Sequence, residues 1–351
     1  MSFDESRLHG ALREIFGEVV PYRRETLTGD ASTRLYHRLH FEGAPSLVVM
    51  DLPEDFLGSD EKTAGERPSE LPFLEVQRLL ASAGLPVPRV EAVDLGARVV
   101  LLEDLGDRTF ESTVVSATPA EREARYERAV DLLVRLHEGL YPPPPGSVVE
   151  KRRFDRALLR WELDHFREWG IEALTGALTP AARKELDRHF DRVVERLLEA
   201  PLGFVHRDYQ SRNLMVRDDG SLVIIDFQDA MVGPYIYDLV ALLCDSYVEL
   251  DVPFRRRLIQ RYAEARGFDV DEARTLFEVQ TVQRKLKDAG RFVFIDRVRK
   301  NPRFLVHFPA SLARVGEALE ALSGLDGLGP LLEELVPGFP SSAEVPASVN
   351  G

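Results

Sequence analysis

The stretch that decides the fold is residues 204–227, FVHRDYQSRNLMVRDDGSLVIIDF. A short apolar run leads to His206-Arg207-Asp208, and Asn213 follows Asp208 by five positions. A polar turn then precedes a second apolar run, which ends at Asp226. The pattern predicts a carboxylate and an amide on one tight loop, with a second carboxylate arriving from a neighbouring strand.

These side chains suit the transfer of a γ-phosphoryl group. Transfer needs a hydroxyl in line with the phosphate, a group that takes its proton, and a divalent metal that neutralises phosphate charge. We therefore predict Asp208 as the base, and Asn213 and Asp226 as oxygen ligands of Mg²⁺. A single aspartate after a strand is usually a cap or a turn residue, so the prediction rests on the whole set of spacings. His206 is interpreted as a structural support of the loop.

The first hundred residues read mainly as strands. Residues 35–41 alternate apolar and polar side chains, and a turn-rich stretch separates them from the apolar run 47–50, which predicts a hairpin. Residues 73–83 have helical spacing and are closed by Gly84 and Pro86. Two further short strands are expected before residue 104.

After residue 104 the pattern changes to long helices. Thr118 and Glu121 frame a capping box with Pro119 at the first helical position, which predicts a helix that stops at Gly139. Helical spacing recurs over 154–169 and 179–200, and residues 222–225 are the only strand expected in this half.

The order of the elements predicts an α+β chain with a small β-rich lobe and a larger helical lobe. We assign residues 1–104 to an N-terminal, nucleotide-covering lobe and residues 105–337 to a C-terminal lobe that carries catalysis and substrate binding. Residues 103–106 are the connector. The tail, 338–351, is rich in Ser, Pro and Ala and is expected to be flexible.

Composition limits the possible partners and compartment. A net charge of −14 argues against a nucleic-acid partner, because phosphate backbones need a basic face. No apolar run reaches the length of a membrane span, and the N-terminus lacks the basic and apolar regions of a secretory signal. The single cysteine, Cys244, excludes a disulfide within one chain. We expect a cytoplasmic protein, a monomer, whose partners are small molecules.

Several segments together resemble the aminoglycoside phosphotransferase superfamily, which shares the protein-kinase fold. Within it, the closest likeness is to the anomeric N-acetylmuramate/N-acetylglucosamine kinases of peptidoglycan recycling. The likeness rests on GDASTRLY (29–36), VVMD (48–51), EDLG (103–106), WELDHFREW (161–169), HRDYQSRNLM (206–215), IDFQDA (225–230), GP (233–234), YDL (237–239) and QRKLKDAGRF (283–292). It implies a bilobal kinase-like fold, ATP with Mg²⁺, and phosphorylation of an anomeric hydroxyl to a sugar 1-phosphate.

The nucleotide side departs from the protein-kinase pattern. The loop expected over the phosphates has one glycine, and the third strand, VVMD, has no lysine. The helix residue that would pair with that lysine, Glu75, is read as solvent-facing. Arg34 and Lys62 are candidates to meet the phosphate charge. The predicted nucleotide contacts are Ser32, Thr33, Arg34, Met50, Glu103 and Leu105.

Substrate contacts are expected after the metal site and on the helix near residue 285. The candidates are Arg207, Gln228, Asp229, Asp245 and Arg284, while Lys285 and Lys287 could meet an anionic sugar. Trp161 and Trp169 are eight positions apart and suit either a sugar platform or plain core. Tyr237-Asp238 is interpreted as a support of the loop that follows the metal site.

Two other functions fit the same residues. One is a kinase for a different hydroxyl acceptor, such as an aminoglycoside, choline or homoserine. The other is an inactive pseudokinase that acts as a binding module, which the missing lysine suggests. The presence of Asp208, Asn213 and Asp226 together argues against the second.

Overall fold

A twisted antiparallel sheet forms the N-terminal part of the protein. The structure is a computed structural model that describes residues 3–27, 35–57 and 70–340. Neighbouring strands lie in the order β1-β2-β3-β5-β4, all antiparallel. The strands are β1 (Tyr22–Leu27), β2 (Leu35–Phe41), β3 (Leu47–Asp51), β4 (Val90–Asp94) and β5 (Val99–Glu103).

Strand β2 is covered on both faces, which differs from the predicted alternation. His37, Arg38 and Leu39 are all buried, whereas the apolar Leu35 is exposed. Arg38 is buried because it pairs with Asp104 of the connector, 2.7 Å from Nε to Oδ2. The Arg38–Asp104 pair thus joins strand β2 of the sheet to the connector.

Two helices accompany the sheet. Helix α1 (His9–Phe16) contacts β4 and β5, a feature that the sequence reading missed. Helix α2 (Pro72–Ser82) begins with proline at its first position and is followed by Gly84 in the left-handed conformation. The predicted helix over 73–83 is confirmed within one residue at each end.

The C-terminal part is mainly helical. No helix in the described ranges combines the length and the apolar character that crossing a bilayer requires. The helices are α3 (Phe110–Val115), α4 (Pro119–Gly139), α5 (Val148–Lys151), α6 (Arg156–Phe166), α7 (Ala173–Thr175), α8 (Pro180–Leu198), α9 (Tyr237–Leu243), α10 (Val252–Arg266), α11 (Val270–Arg299), α12 (Phe308–Glu320) and α13 (Leu328–Leu335).

Local signals placed the helix starts well. The Thr118 side chain accepts from the N–H of Glu121, and the Glu121 carboxylate accepts from the N–H of Thr118, as the capping box predicts. Helix α6 ends earlier than expected, because residues 167–172 widen into a π-helical turn. Gly170 lies in this turn directly against the Phe166 ring, where a Cβ would come within 2.3 Å of a ring carbon.

A two-stranded sheet and a hairpin hold the stretch that decides the fold. Strands β6 (Leu202–Val205) and β9 (Met231–Pro234) pair antiparallel, as do β7 (Leu214–Val216) and β8 (Leu222–Ile224). The expectation of one strand in this half was therefore wrong. The partner strands are only three or four residues long, too short to show a period of their own.

A continuous apolar core joins the two parts. It runs from Met50 and Leu80 of the sheet region to Tyr209 and Phe227 beside the catalytic stretch. The Phe73 and Phe227 rings stack with centroids 5.0 Å apart. A second core lies beneath α6, α8, α11 and α12. The 206–226 stretch is therefore held between packed layers.

Candidate active site

His206 holds the catalytic loop together. Its Nε2 donates to the carbonyl of Ile225 at 3.0 Å, and its Nδ1 accepts from the N–H of Asp208 at 3.2 Å. An accepting Nδ1 and a donating Nε2 describe the neutral ring with its proton on Nε2. The imidazole ties the end of β8 to Asp208, which fits the supporting part predicted for it.

Asp238 also holds this loop, through the backbone N–H groups of the loop. Its Oδ2 accepts from the N–H of His206 at 2.6 Å, and its Oδ1 accepts from the N–H of Arg207 at 2.9 Å. His137 lies 3.2 Å from Oδ2, and burial lowers the pKa of His137. The interpretation that Asp238 supports the loop after the metal site was wrong, because its carboxylate binds the loop before it.

Backbone strain marks both ends of the stretch. Arg207 (φ 81°) and Asp226 (φ 64°) have positive φ angles, which residues other than glycine rarely adopt. Such residues persist where surrounding bonds fix them and are concentrated at functional sites. The unusual turn at Arg207 directly precedes Asp208, the predicted base.

The side chain of Arg207 is fully buried and does not face a cleft. Its Nη2 lies 3.1 Å from Oε1 of Glu162, which is also fully buried. Gln283 donates to the other oxygen of Glu162 at 2.7 Å. These contacts give Arg207 a structural part, and a direct contact between Arg207 and substrate stays a prediction without support from this geometry.

The three predicted catalytic side chains come together. Asn213 Nδ2 donates to the carbonyl of Asp208 at 2.9 Å and approaches Oδ2 of Asp226 at 3.3 Å. Gln228 donates to the other oxygen of Asp226 at 2.9 Å. The Asn213 amide and the Asp226 carboxylate are therefore adjacent, and the amide nitrogen is the atom in contact with the carboxylate.

This pair fits a small divalent cation. Burial, and then the Asp208 charge, raises the pKa of Asp226, and a cation would relieve this accumulation of negative charge. In the described ranges no group of three His, Cys, Asp or Glu side chains surrounds one point. A cation would thus have few protein ligands, as Mg²⁺ does when phosphate oxygens and water complete its octahedron.

Arg284 reaches Asp208 from helix α11. Its Nη2 lies 3.3 Å from Oδ1 of Asp208, and its Nη1 donates to the carbonyl of Arg207 at 2.7 Å. Arg284 was predicted as a substrate contact, and the structure places it on the catalytic loop. One guanidinium thereby fixes both the carboxylate and the backbone before it.

The remaining predicted substrate residues, Asp245, Asp229 and Gln228, lie around the loop and differ in their contacts. Asp245 is buried and accepts from the N–H of Ser211 at 2.9 Å and the N–H of Tyr247 at 3.1 Å. Asp229 lies beside Arg152, which also donates to the carbonyl of Gln228 at 2.8 Å. Asp245 therefore supports the 3-10 turn (Ser211–Asn213) that carries Asn213.

The connector is held firmly to the sheet. Asp104 accepts from the Ser46 hydroxyl at 2.6 Å and from the N–H of Gly106 at 2.9 Å, in addition to its pair with Arg38. The Glu103 carboxylate pairs at 2.9 Å with Arg217, which directly follows β7. The N–H of Leu105 has no hydrogen-bond partner in residues 3–27, 35–57 and 70–340.

The structure describes only some of the other residues that were considered on the nucleotide side. Ser32, Thr33, Arg34 and Lys62 lie outside the described residues. Met50 has no exposed surface and belongs to the main core. The solvent-facing reading of Glu75 was wrong, because its Oε1 accepts from the N–H of Val148 at the start of α5, at 2.6 Å.

Aromatic rings that the sequence did not reveal contact the two tryptophans. His165 stacks on Trp161 with ring centroids 5.6 Å apart, and Trp169 meets Phe294 edge to face at 5.2 Å. On α11, Lys285 donates to Ser246 at 2.7 Å and to Asp288 at 2.9 Å. The helical spacing of Trp161, His165 and Trp169 was visible, but the partner face on α11 was not.

Comparison with known proteins decides the family. The model of the phosphotransferase enzyme family matches residues 24–276. The chain belongs to the phosphotransferase enzyme family. It is 33% identical to N-acetylmuramate/N-acetylglucosamine kinase from Pseudomonas aeruginosa, over 94% of this chain and 95% of that one. It is 34% identical to the kinase of the same name from Neisseria meningitidis serogroup B, over 92% and 96%.

A solved structure supports the fold of this phosphotransferase. An ADP-bound aminoglycoside phosphotransferase superposes with a TM-score of 0.59 at 17% identity, covering 92% of this chain and 99% of its own. At this identity the likeness concerns the fold alone. The predicted superfamily and the bilobal kinase-like architecture are confirmed, and membership with kinase relatives confirms an ATP-dependent phosphotransferase.

Proposed function

We propose that this phosphotransferase transfers the γ-phosphate of ATP to the anomeric hydroxyl of N-acetylmuramic acid or N-acetylglucosamine, giving a sugar 1-phosphate for cell-wall recycling in the cytoplasm. One observation carries the proposal. The helix segment QRKLKDAGRF, which resembles the sugar-kinase branch, delivers Arg284 to the carboxylate of Asp208. The segment and the catalytic loop therefore form one site, in a chain similar over nearly its whole length to kinases of that name.

Asp208 is the base in this proposal. A hemiacetal hydroxyl is more acidic than an ordinary alcohol, so a carboxylate is basic enough to accept its proton as the bond to phosphorus forms. Arg284 and the His206 ring hold Asp208 from two sides, through its side chain and its N–H respectively. A fixed base reduces the entropy lost when the hydroxyl is oriented.

Asn213 and Asp226 would hold Mg²⁺ through the amide oxygen and the carboxylate. The bound cation would neutralise phosphate charge as the bond to the leaving group breaks. Gln228 keeps the Asp226 carboxylate in place at 2.9 Å, and Asn213 is kept in place by its bond to the Asp208 carbonyl. Both ligands are thus oriented by neighbours before any cation binds.

The connector would receive the adenine edge. The N–H of Leu105 is available as a donor, and the carbonyl of Glu103 lies two residues before it at the end of β5. The Arg38–Asp104 pair fixes this short segment at a buried position. Ser32, Thr33 and Arg34 stay assigned to the phosphates, and Met50 to the nucleotide side, as proposals from the sequence.

Helix α11 supplies the positive charge for an acidic sugar. Arg284, Lys285 and Lys287 are all buried residues of one helix segment, and Asp288 neutralises part of their charge. Gln228 and Asp229 offer hydrogen-bonding groups for sugar hydroxyls on the loop after Asp226. A carboxylate on the acceptor would therefore be favoured on the α11 side of the cleft.

An acceptor panel followed by phosphorus NMR tests this function. The enzyme, ATP and Mg²⁺ are incubated separately with N-acetylmuramic acid, N-acetylglucosamine, an aminoglycoside, choline and homoserine. The proposal predicts a phosphate monoester whose ³¹P signal is split by the anomeric proton, for one or both amino sugars. Asp271→Asn, which alters an exposed carboxylate on α11, serves as the active control.

The other outcomes separate the rival functions. Product from choline or the aminoglycoside, with none from the amino sugars, would replace the acceptor and keep the kinase. Binding of ATP without product from any acceptor, by a protein with intact cooperative unfolding, would support the inactive binding module.

A further inference from the structure

A groove lined by arginines lies away from the catalytic side chains. Two adjoining cavities of about 160 Å³ and 420 Å³ share Arg128, Arg217, Gly220 and Leu222. None of Asp208, Asn213 and Asp226 lines either cavity. The arginines of both cavities, hereafter the basic groove, are Arg108, Arg125, Arg128, Arg135 and Arg217.

The charge of the basic groove is opposite to that of the whole chain. Among the described residues, the acidic side chains that line the two cavities are Asp131 and Asp218, in a protein of net charge −14. Arginines packed side by side repel each other unless an anion lies among them. A positive groove on an acidic protein therefore indicates a ligand rather than average surface composition.

Helix α4 separates its charges into two faces. Its acidic face turns to α10, where Glu123 accepts from Arg257 at 2.6 Å and Asp131 accepts from Arg261 at 2.8 Å. Its other face presents Arg125, Arg128 and Arg135 to the groove. Asp131 also lines the larger cavity, but its carboxylate is already paired with Arg261 of α10.

Two of the five arginines are paired with carboxylates, Arg108 with Asp218 at 3.2 Å and Arg217 with Glu103 at 2.9 Å, whereas the other three form no ion pair within the described residues. Arg128 is exposed and has no hydrogen bond or ion pair in the parts of the chain that the structure describes. Arg135 donates to the carbonyl of Gly84 at 3.0 Å, and Arg125 donates to the carbonyl of Thr113. A carbonyl orients a guanidinium without cancelling its charge, so both remain able to attract an anion.

The larger cavity is partly apolar and lies at the boundary of the two lobes. Leu85 and Pro86 of the N-terminal part face Leu132 and Leu222 of the C-terminal part across it. The N–H of Ile224 donates to the carbonyl of Pro86 at 2.8 Å, which ties the walls together. A volume of about 420 Å³ lies in the range of small-molecule sites.

We propose that the basic groove is a second binding site, which takes a small phosphorylated anion. Guanidinium groups bind phosphate oxygens in pairs, and the apolar wall would pack against the non-phosphate part of the ligand. Arg217 lines the groove and also pairs with Glu103 at the end of β5. A ligand there would contact the residue that links β7 to the connector.

Inorganic pyrophosphate is the probe for this site. It is titrated by calorimetry into the full-length protein in the presence of EDTA, so that Mg²⁺-dependent binding at Asn213 and Asp226 is removed. Wild-type protein is expected to bind about one equivalent. Arg128→Glu is expected to weaken binding by about tenfold or more, because it replaces a charged donor with a repelling carboxylate.

Two variants decide where the probe binds. Arg183→Glu makes the same charge change at an exposed position of α8 and is expected to leave binding unchanged. Asp226→Asn alters the catalytic centre and is expected to leave it unchanged as well. The proposal is overturned if wild-type protein binds no pyrophosphate, if Arg183→Glu weakens binding as much as Arg128→Glu, or if Asp226→Asn abolishes it. None of these outcomes depends on the acceptor, so they leave the proposed function intact.

Discussion

The catalytic loop and strand β3 are the two places where the protein-kinase pattern puts its charged catalytic groups, and they differ sharply here. On the loop side the predicted set is present, since Asp208, Asn213 and Asp226, which follows β8, lie together. Strand β3 has Met50 and Asp51 where the lysine would lie, and neither is a cation.

The polar side chains in and around β3 form structural contacts. Asp51 pairs with Arg7 at 2.8 Å, Met50 lies in the core, and Glu75 caps the start of α5. Glu75, the residue that would have paired with the lysine, therefore has a different hydrogen-bond partner. We infer that neutralisation of phosphate charge depends mainly on a cation that Asn213 and Asp226 would hold. The comparison predicts large effects in the loop and small ones in β3.

Asp226→Asn should have the largest effect among the residues around the base. Losing the carboxylate removes charge where the cation would lie, and a deficit of about 4 kcal/mol corresponds to a fall of about 10³ in kcat. Steady-state kinetics over a range of Mg²⁺ concentrations measure it. A kcat within tenfold of wild type would refute the metal-ligand assignment, and Asp271→Asn is the control for loss of one carboxylate.

Asp238→Asn should weaken both the fold and the reaction. The amide that replaces one oxygen would point its donors at an N–H group of His206 or Arg207, leaving a buried donor unsatisfied at a cost of about 1–3 kcal/mol. Urea unfolding should show this loss, and kcat should fall by about 10²-fold because the base moves. Normal stability combined with normal kcat would contradict the anchoring role.

Arg284→Lys should have an intermediate effect. Lysine keeps the charge but cannot bind the Asp208 carboxylate and the Arg207 carbonyl with one planar group. We expect kcat to fall by about tenfold, with KM for ATP unchanged, because one well-oriented bond to the base is lost. A change confined to KM for the sugar would make Arg284 a substrate contact, as the sequence first indicated.

Asp51→Asn should have the smallest effect and tests the β3 side of the comparison. Its pair with Arg7 is largely buried, but asparagine can still accept a hydrogen bond from that guanidinium, so the loss should be about 1–2 kcal/mol in the free energy of unfolding. Turnover and KM for ATP should stay within about threefold of wild type. A hundredfold rise in KM for ATP would show that β3 takes part in nucleotide binding after all.

The features of this molecule that depend on short sequence spacings were predicted better than the features that depend on long-range contacts. The start of α4 depends on Thr118 and Glu121, three residues apart, and it was predicted correctly. The convergence of Asp208, Asn213 and Asp226 also follows from short spacings. Strands β7 and β9 were missed because their pairing, not their composition, makes them strands.

The supports of the site could not be read from the sequence. Gln283 and Glu162 are 121 positions apart, and Arg207 was assigned to substrate because nothing local revealed its buried partner. Asp238 was assigned to the wrong loop for the same reason. A buried polar network is specified by packing of distant elements, so only the folded structure identifies its members.

The central claim is that Asp208 is the base for the sugar hydroxyl, and Asp208→Asn tests it most directly. The measurement is phosphoryl transfer from ATP to N-acetylmuramic acid or N-acetylglucosamine, with urea unfolding and ATP binding followed on the same preparation. We predict a fall in kcat of about 10² to 10⁴, with ATP affinity and stability close to wild type. Turnover within a factor of about three of wild type, in a folded variant that binds ATP, would contradict the claim.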